Sequence, residues 1–278
     1  VATGAPTAQR QSVPVRHRPN IEEMTAPQIE ELRKAFTAMQ GRTDDRGYGR
    51  YAGIHGLPLP KECTIAHGHP AFLPWHRAYL LRFEQALRDT GYDVMLPWWD
   101  WTKTPTIPTA FAEPYAPDSS PNPLFSVAID PQALTEGSNS DEEETVELAA
   151  IPNTVRQPER PGTRLPTGPE IATILTLDTE YDQFRSNLDD YHGMVHIWAG
   201  GHMGNLPFAA FDPLFWAHHC MIDRLWRIWQ GEHSQASFPS SLRGETMMPF
   251  NLTAGEVLDP TTLGYDYSMS IAQVPAGS

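Results

Sequence analysis

The sequence predicts a mainly α-helical protein, an antiparallel four-helix bundle with long irregular loops. Three observations carry this. Four segments place apolar residues at helical steps of three and four. The 278 residues include 27 Pro, too many for a regular array. The stretch 102–170 holds many of these prolines and no sustained periodicity. The length suits one large domain, so residues 1–278 are expected to form a single unit around one core.

Residues 1–20 read as an extended arm, and the small, polar run Val1–Gln11 lacks the apolar core of a secretory signal. Thr25 opens the first helix as N-cap, with Gln28 three residues on and Ile29, Leu32, Phe36 and Met39 at helical spacing. Gly41–Gly56 is read as a loop. The second helix starts near Pro74 and runs to Asp89, with His76, Leu80, Phe83 and Leu87 as its stripe and Gly91 beyond its end. The acidic run Asp141–Glu144 reads as a solvated loop. The third helix spans Thr179 to Ala199, and Gly200 and Gly201 end it. The fourth begins at Asp212–Pro213 and runs through Trp229 to a stop at Gly231. After residue 232 the chain reads as irregular, with a short strand pair.

Composition excludes several functions. A formal net charge of -14 is wrong for a nucleic-acid binder or an anionic membrane surface. No apolar run approaches the roughly 18 residues a transmembrane helix needs. With only Cys63 and Cys220 there is no disulfide framework and no thiolate zinc site. Two thiols fit a reducing or an oxidising compartment equally, so localisation stays open between cytoplasmic and secreted.

The 11 histidines carry the functional signal. His55, His67, His69 and His76 form one cluster. His192, His196, His218 and His219 form another, with His202 just outside it. His192 and His196 stand four apart on one helical face, so both rings reach one ion, and His219 on the next helix can add a third. Isolated histidines such as His17 and His233 are read as ordinary surface or packing residues. Two clusters of imidazoles at helix starts and on facing helices point instead to a dinuclear, nitrogen-only metal site inside the bundle. Imidazole suits zinc, copper, iron and nickel, and affinity favours copper. No carboxylate stands at ligand spacing, as a zinc hydrolase pair would require. Asp223, four residues after His219, could orient that ring or pair with Arg224 or Arg227.

The segments His67-Gly-His-Pro-Ala-Phe-Leu-Pro-Trp-His76-Arg and Asp212-Pro-Leu-Phe-Trp-Ala-His-His219-Cys-Met-Ile-Asp-Arg-Leu-Trp226 resemble the two copper signatures of the type-3 copper family, which includes tyrosinases, catechol oxidases, o-aminophenol oxidases and molluscan haemocyanins. Met95-Leu-Pro-Trp-Trp-Asp-Trp101 and His192-Gly-Met-Val-His196-Ile-Trp look like further family elements, and the likeness covers about residues 16–270. The resemblance implies two copper ions with O2 as co-substrate. One copper takes His55, His67 and His76, the other His192, His196 and His219, leaving His69 and His218 as packing neighbours. His219 is chosen over His218 because it follows Phe215 by four, as His76 follows Phe72. Arg18 and Tyr265-Asp-Tyr267 resemble a clasp between the two ends of the family's domain.

The implied chemistry is oxidation of an o-diphenol or o-aminophenol to a quinone or quinone imine, with O2 reduced to water. A small phenol is the expected substrate and a copper-delivery (caddie-type) protein a possible partner. Relatives that hydroxylate monophenols often carry Asn after the first histidine of the second copper. Gly193 stands there, so weak or absent monophenol hydroxylation is expected. Asp189 or Asp190 could still supply a carboxylate, and Ile197 and Leu206 are expected to shape the substrate mouth. Ile65 stands where many relatives have a Cys joined to histidine by a thioether, so Cys63 is expected to be a free thiol. No shielding domain follows residue 278, so an open site is expected, favouring an oxidase over a dioxygen carrier.

Overall fold

The computed structural model describes residues 14–59, 67–233 and 238–268. In chain order its elements are β1 (Arg16–Arg18), α1 (Ala26–Gln40), α2 (Tyr48–His55), α3 (Phe72–Arg88), α4 (Thr109–Ala112), α5 (Pro131–Gly137), α6 (Glu143–Ala149), α7 (Gly168–Leu177), α8 (Tyr181–Ala199), α9 (Leu214–Glu232), β2 (Thr246–Met247), β3 (Leu252–Thr253) and β4 (Tyr265–Tyr267). The expected bundle is formed by the long helices α1, α3, α8 and α9, with α3 packed against the other three.

Local chemistry explains the helix boundaries. At α1 the Gln28 side chain accepts the Thr25 backbone N–H at 2.8 Å, and Leu32, Phe36 and Met39 turn inward. Helix α9 begins just after Pro213, where the Asp212 carboxylate accepts the Leu214 N–H at 2.9 Å. It runs through Gly231 to Glu232, because burial on nearly every side from Leu214 to Trp226 outweighs the cost of one glycine. Helix α8 stops where expected. Gly200 and Gly201 take positive φ of 60° and 55°, and a Cβ on either would collide with the carbonyls of Gln157 and Val155.

Three expectations need correction. The stretch Gly41–Gly56 contains α2, so His55 comes from a helix end. That helix is two turns long and mostly buried, with Arg50 its one exposed residue, which leaves too little of a polar stripe to mark it. The stretch 102–170 contains α4, α5, α6 and the start of α7, each too short for a periodic signal. The acidic run opens α6: Glu143 and Glu144 lie in its first turn, where the helix dipole favours negative charge. The strand pair after residue 232 is present as antiparallel β2 and β3.

The ends of the described chain meet over the bundle. Strand β1 runs parallel to β4, with Arg18 opposite Tyr267. Arg18 is buried, with its guanidinium 3.8 Å from the Tyr265 ring centre. It donates to Glu84 at 3.0 Å and to Asp223 at 3.2 Å. Asp223 also accepts from Arg77 at 2.6 Å and from the hydroxyls of Tyr265 and Tyr267 at 2.8 and 2.7 Å. Asp223 therefore binds Arg18 and Arg77, correcting the expected partners His219, Arg224 and Arg227. Arg224 lies over Trp98 and Arg227 pairs with Asp266.

Two cations and two carboxylates balance inside this cluster, and the facing arginines hold the Asp223 carboxyl below its usual range despite burial. Removing one partner leaves the others charged in a dry interior. Asp223→Ala should lower stability by about 3–5 kcal/mol, read as a drop in the urea midpoint. A change within the range of an ordinary surface substitution would show that the cluster does not hold the two ends.

Candidate metal centre

Each histidine is delivered by a different local device. His55 is the last residue of α2, His67 lies in the loop ahead of α3, and His76 sits near the start of α3. His192 and His196 project from one face of α8, and His218 and His219 lie on α9. The rings assemble into two groups whose ligand atoms lie within 4.8 Å of one another: His55, His67 and His76, and His192, His196, His218 and His219. The groups touch. The His76 and His219 rings stack at 4.4 Å between centres, and His67 and His192 lie 5.9 Å apart.

The Nε2 atoms of His192, His196 and His219 form a triangle with edges of 3.0, 3.3 and 3.3 Å. The Nδ1 of His76 donates to the Phe72 carbonyl at 2.9 Å, and that of His196 to the Met203 carbonyl at 2.7 Å. With Nδ1 protonated, Nε2 carries the lone pair. The buried Nε2 atoms of His67 and His76 have no hydrogen-bond partner. Buried acceptors without donors are costly, and neutral lone pairs at such short range repel unless a cation lies between them. The triangle's edges fit an ion with metal–imidazole bonds of about 2 Å. The donor set therefore fits the metal pair the sequence implies.

Burial keeps these rings neutral. Desolvation pushes the pKa of His67 and of His196 down to about 4, and moves those of His55, His76, His192 and His219 in the same direction. Phe215 closes the floor, 4.0 Å from the His219 ring centre and 4.8 Å from that of His55.

The remaining histidines divide as follows. His218 is buried, parallel to His192 at 5.3 Å and 6.3 Å from Trp101. His69 turns away and accepts the Ala71 N–H through Nδ1 at 3.1 Å. His202 pins loops together, accepting from Val155 N–H and facing the Leu148 carbonyl. His233 reaches the Leu175 carbonyl, and His17 lies exposed on β1.

A cavity of about 280 Å3 opens onto the centre. Its walls include His67, His192 and His196, and the expected residues Asp189, Gly193, Ile197 and Leu206. Ile197 and Leu206 are about half exposed and form an apolar rim. An added Cβ at Gly193 would meet nothing within 4 Å. Asp189 accepts the Gly68 N–H at 3.1 Å, and burial raises its carboxyl's pKa. Asp190 is exposed and outside the cavity wall. Cys63 and Ile65 lie outside the described residues. Met203 was missed in the sequence, since only the fold shows that its carbonyl orients His196.

Two facing groups of buried, neutral imidazoles on a helical bundle define a dinuclear centre of the type-3 copper class. The chain belongs to the tyrosinase family, whose common central domain matches residues 45–232. It is 33% identical over 236 residues to a tyrosinase of Streptomyces glaucescens, covering 70% of this chain and 78% of that protein. It is 32% identical over 241 residues to an A-type hemocyanin, units Ode to Odg, of Enteroctopus dofleini, covering 81% of this chain but 19% of that protein. The chain thus spans a small fraction of that multi-unit protein. A functional unit from octopus hemocyanin superimposes with a TM-score of 0.72 at 28% identity, covering 91% of this chain and 68% of that one. An active, copper-depleted Aspergillus oryzae tyrosinase mutant complexed with L-tyrosine shares the fold, with a TM-score of 0.73 at 21% identity over 97% of this chain and 96% of that one. The cofactors are two copper ions, with O2. No described helix is long and apolar enough to cross a membrane.

The lowered histidine pKa values set a direction with pH. Between pH 6.5 and about 4 the unfolded chain binds protons that folded His67 and His196 refuse. Metal-free protein should therefore lose stability as pH falls through that window, seen as a declining urea midpoint between pH 7 and 4.5. A flat midpoint would contradict the burial described for these rings.

Proposed function

We propose that the chain is a copper oxidase converting o-diphenols or o-aminophenols to o-quinones or o-quinone imines. In this reading His55, His67 and His76 hold one copper, and His192, His196 and His219 hold the other. The metal pair supplies two one-electron changes coupled to O2 reduction. Each substrate gives up two electrons and two protons, so two turnovers reduce one O2 to two waters.

The observation that carries this reading is the cavity beside the histidine pair. Its apolar rim at Ile197 and Leu206 suits an aromatic ring, and its depth brings that ring's oxygens to the wall formed by His67, His192 and His196. Phe215 and the surrounding core exclude bulk water from the inner face. His219 is preferred to His218 because its Nε2 completes the triangle with His192 and His196. The Gly193 position supplies no amide beside His192 to hold a water against a phenol proton. Catechols, whose protons are more readily lost, are therefore favoured over monophenols.

A dioxygen carrier is the second reading, favoured by the likeness to hemocyanin. A carrier must keep phenols away from bound oxygen, and the cavity works against that. Reversible oxygenation without catechol oxidation would establish the carrier.

Single Ala substitutions at His76 and at His219 should each cut bound copper from two ions per chain to one and abolish catechol oxidation. His69→Ala should retain both ions. Metal analysis of the purified variants decides; two coppers in either ligand variant would refute the assignment. Steady-state rates should be high on catechol and o-aminophenol and low on tyrosine. Gly193→Asn, which has room for its side chain, should raise tyrosine hydroxylation with the catechol rate little changed. Lag-free tyrosine hydroxylation by the unmodified protein would overturn the role given to Gly193.

A further inference from the structure

We infer that Asp189 is a positioning residue that ties together the two halves of the metal centre, fixing the loop that carries His67 and the ring of His192. The inference rests on the ligand assignment proposed above.

Three features support it. Asp189 Oδ2 accepts the Gly68 N–H at 3.1 Å, a contact spanning 121 residues of sequence. Gly68 takes a positive φ of 65°, so the chain turns sharply right after His67, and the carboxylate holds that turn. The other oxygen, Oδ1, lies 3.4 Å from Nδ1 of His192, one turn further along α8. A carboxylate beside Nδ1 favours the tautomer with its proton there, directing the lone pair of Nε2 inward, and it raises the ring's strength as a ligand.

Position also favours this role over a direct one. The Asp189 side chain is only 17% exposed, with one oxygen hydrogen-bonded to Gly68 and the other 3.4 Å from His192 Nδ1. Among the described residues it is the only carboxylate in the cavity wall. Asp190, two residues before His192, is exposed and outside the cavity wall, and Asp223, four after His219, is committed to Arg18 and Arg77. Asp189 is thus the carboxylate left to orient the histidines, lying against His192 of one group and holding the Gly68 N–H next to His67 of the other.

Two substitutions separate its contacts. In Asp189→Asn the amide oxygen can still accept from Gly68, while the negative charge beside His192 is lost. In Asp189→Ala both go. Purified, copper-loaded proteins would be titrated with a copper chelator. The Co(II)-substituted forms would be compared by visible absorption, a readout independent of turnover.

Asp189→Asn should weaken one of the two coppers by about 10–100-fold and leave the other near wild type. Asp189→Ala should weaken both, and the Co(II) bands should shift in each variant. Asp189→Glu should recover part of the loss. Wild-type affinities and unshifted bands in Asp189→Asn would overturn the inference, and this variant decides alone should Asp189→Ala not fold. Fewer than two coppers on the unmodified protein would overturn the ligand assignment beneath it, a separate result.

Discussion

The structure depends on keeping imidazole rings neutral where water cannot reach them. A histidine in water is protonated as the solution turns acidic and then has no lone pair to offer. Inside the bundle the charged form loses its hydration, and its neighbours are other imidazoles that would repel a second charge. Most of the fold serves that condition. Helices α3, α8 and α9 bring apolar faces together, Phe215 and Trp75 pack against the rings, and the carbonyls of Phe72 and Met203 take the outer N–H groups.

The cost of such a site is a set of buried acceptors that no protein donor satisfies. Evenly spaced lone pairs with nothing between them are a poor way to stabilise a core. They make sense when a cation completes them, and its binding free energy then adds to that of folding. The aromatic packing around the rings holds the geometry in the meantime. His76 and His219 stack, and Phe215 contacts rings from both groups.

Much of this was legible in the sequence because long amphipathic helices announce themselves. Helices α1, α3, α8 and α9 follow their apolar stripes and caps to within a few residues. Spacing places the histidines in two clusters, and the fold brings His55, His67 and His76 together, and His192, His196, His218 and His219 together, while His69 turns away. What escaped was short or mostly buried. Helix α2 exposes little beyond Arg50, and α4, α5 and α6 span one or two turns each, so none left a periodic mark. Asp223 misled for a different reason. Its spacing from His219 suits an orienting role, but its partners Arg18 and Arg77 are distant in sequence, and only the fold brings them near. The Met203 carbonyl and the Gly68 turn are backbone features, to which residue identity gives little clue.

The clasp between β1 and β4 has a consequence for how the protein is made. Arg18 and Tyr267 are 249 residues apart, yet they meet at Asp223, one turn beyond His219, and beside Arg77, which follows His76. On the ribosome, Arg18 emerges long before the tyrosines that enclose it. The buried cluster behind these two histidines, in which both tyrosine hydroxyls reach Asp223, can therefore close only after Tyr265 and Tyr267 have been synthesised.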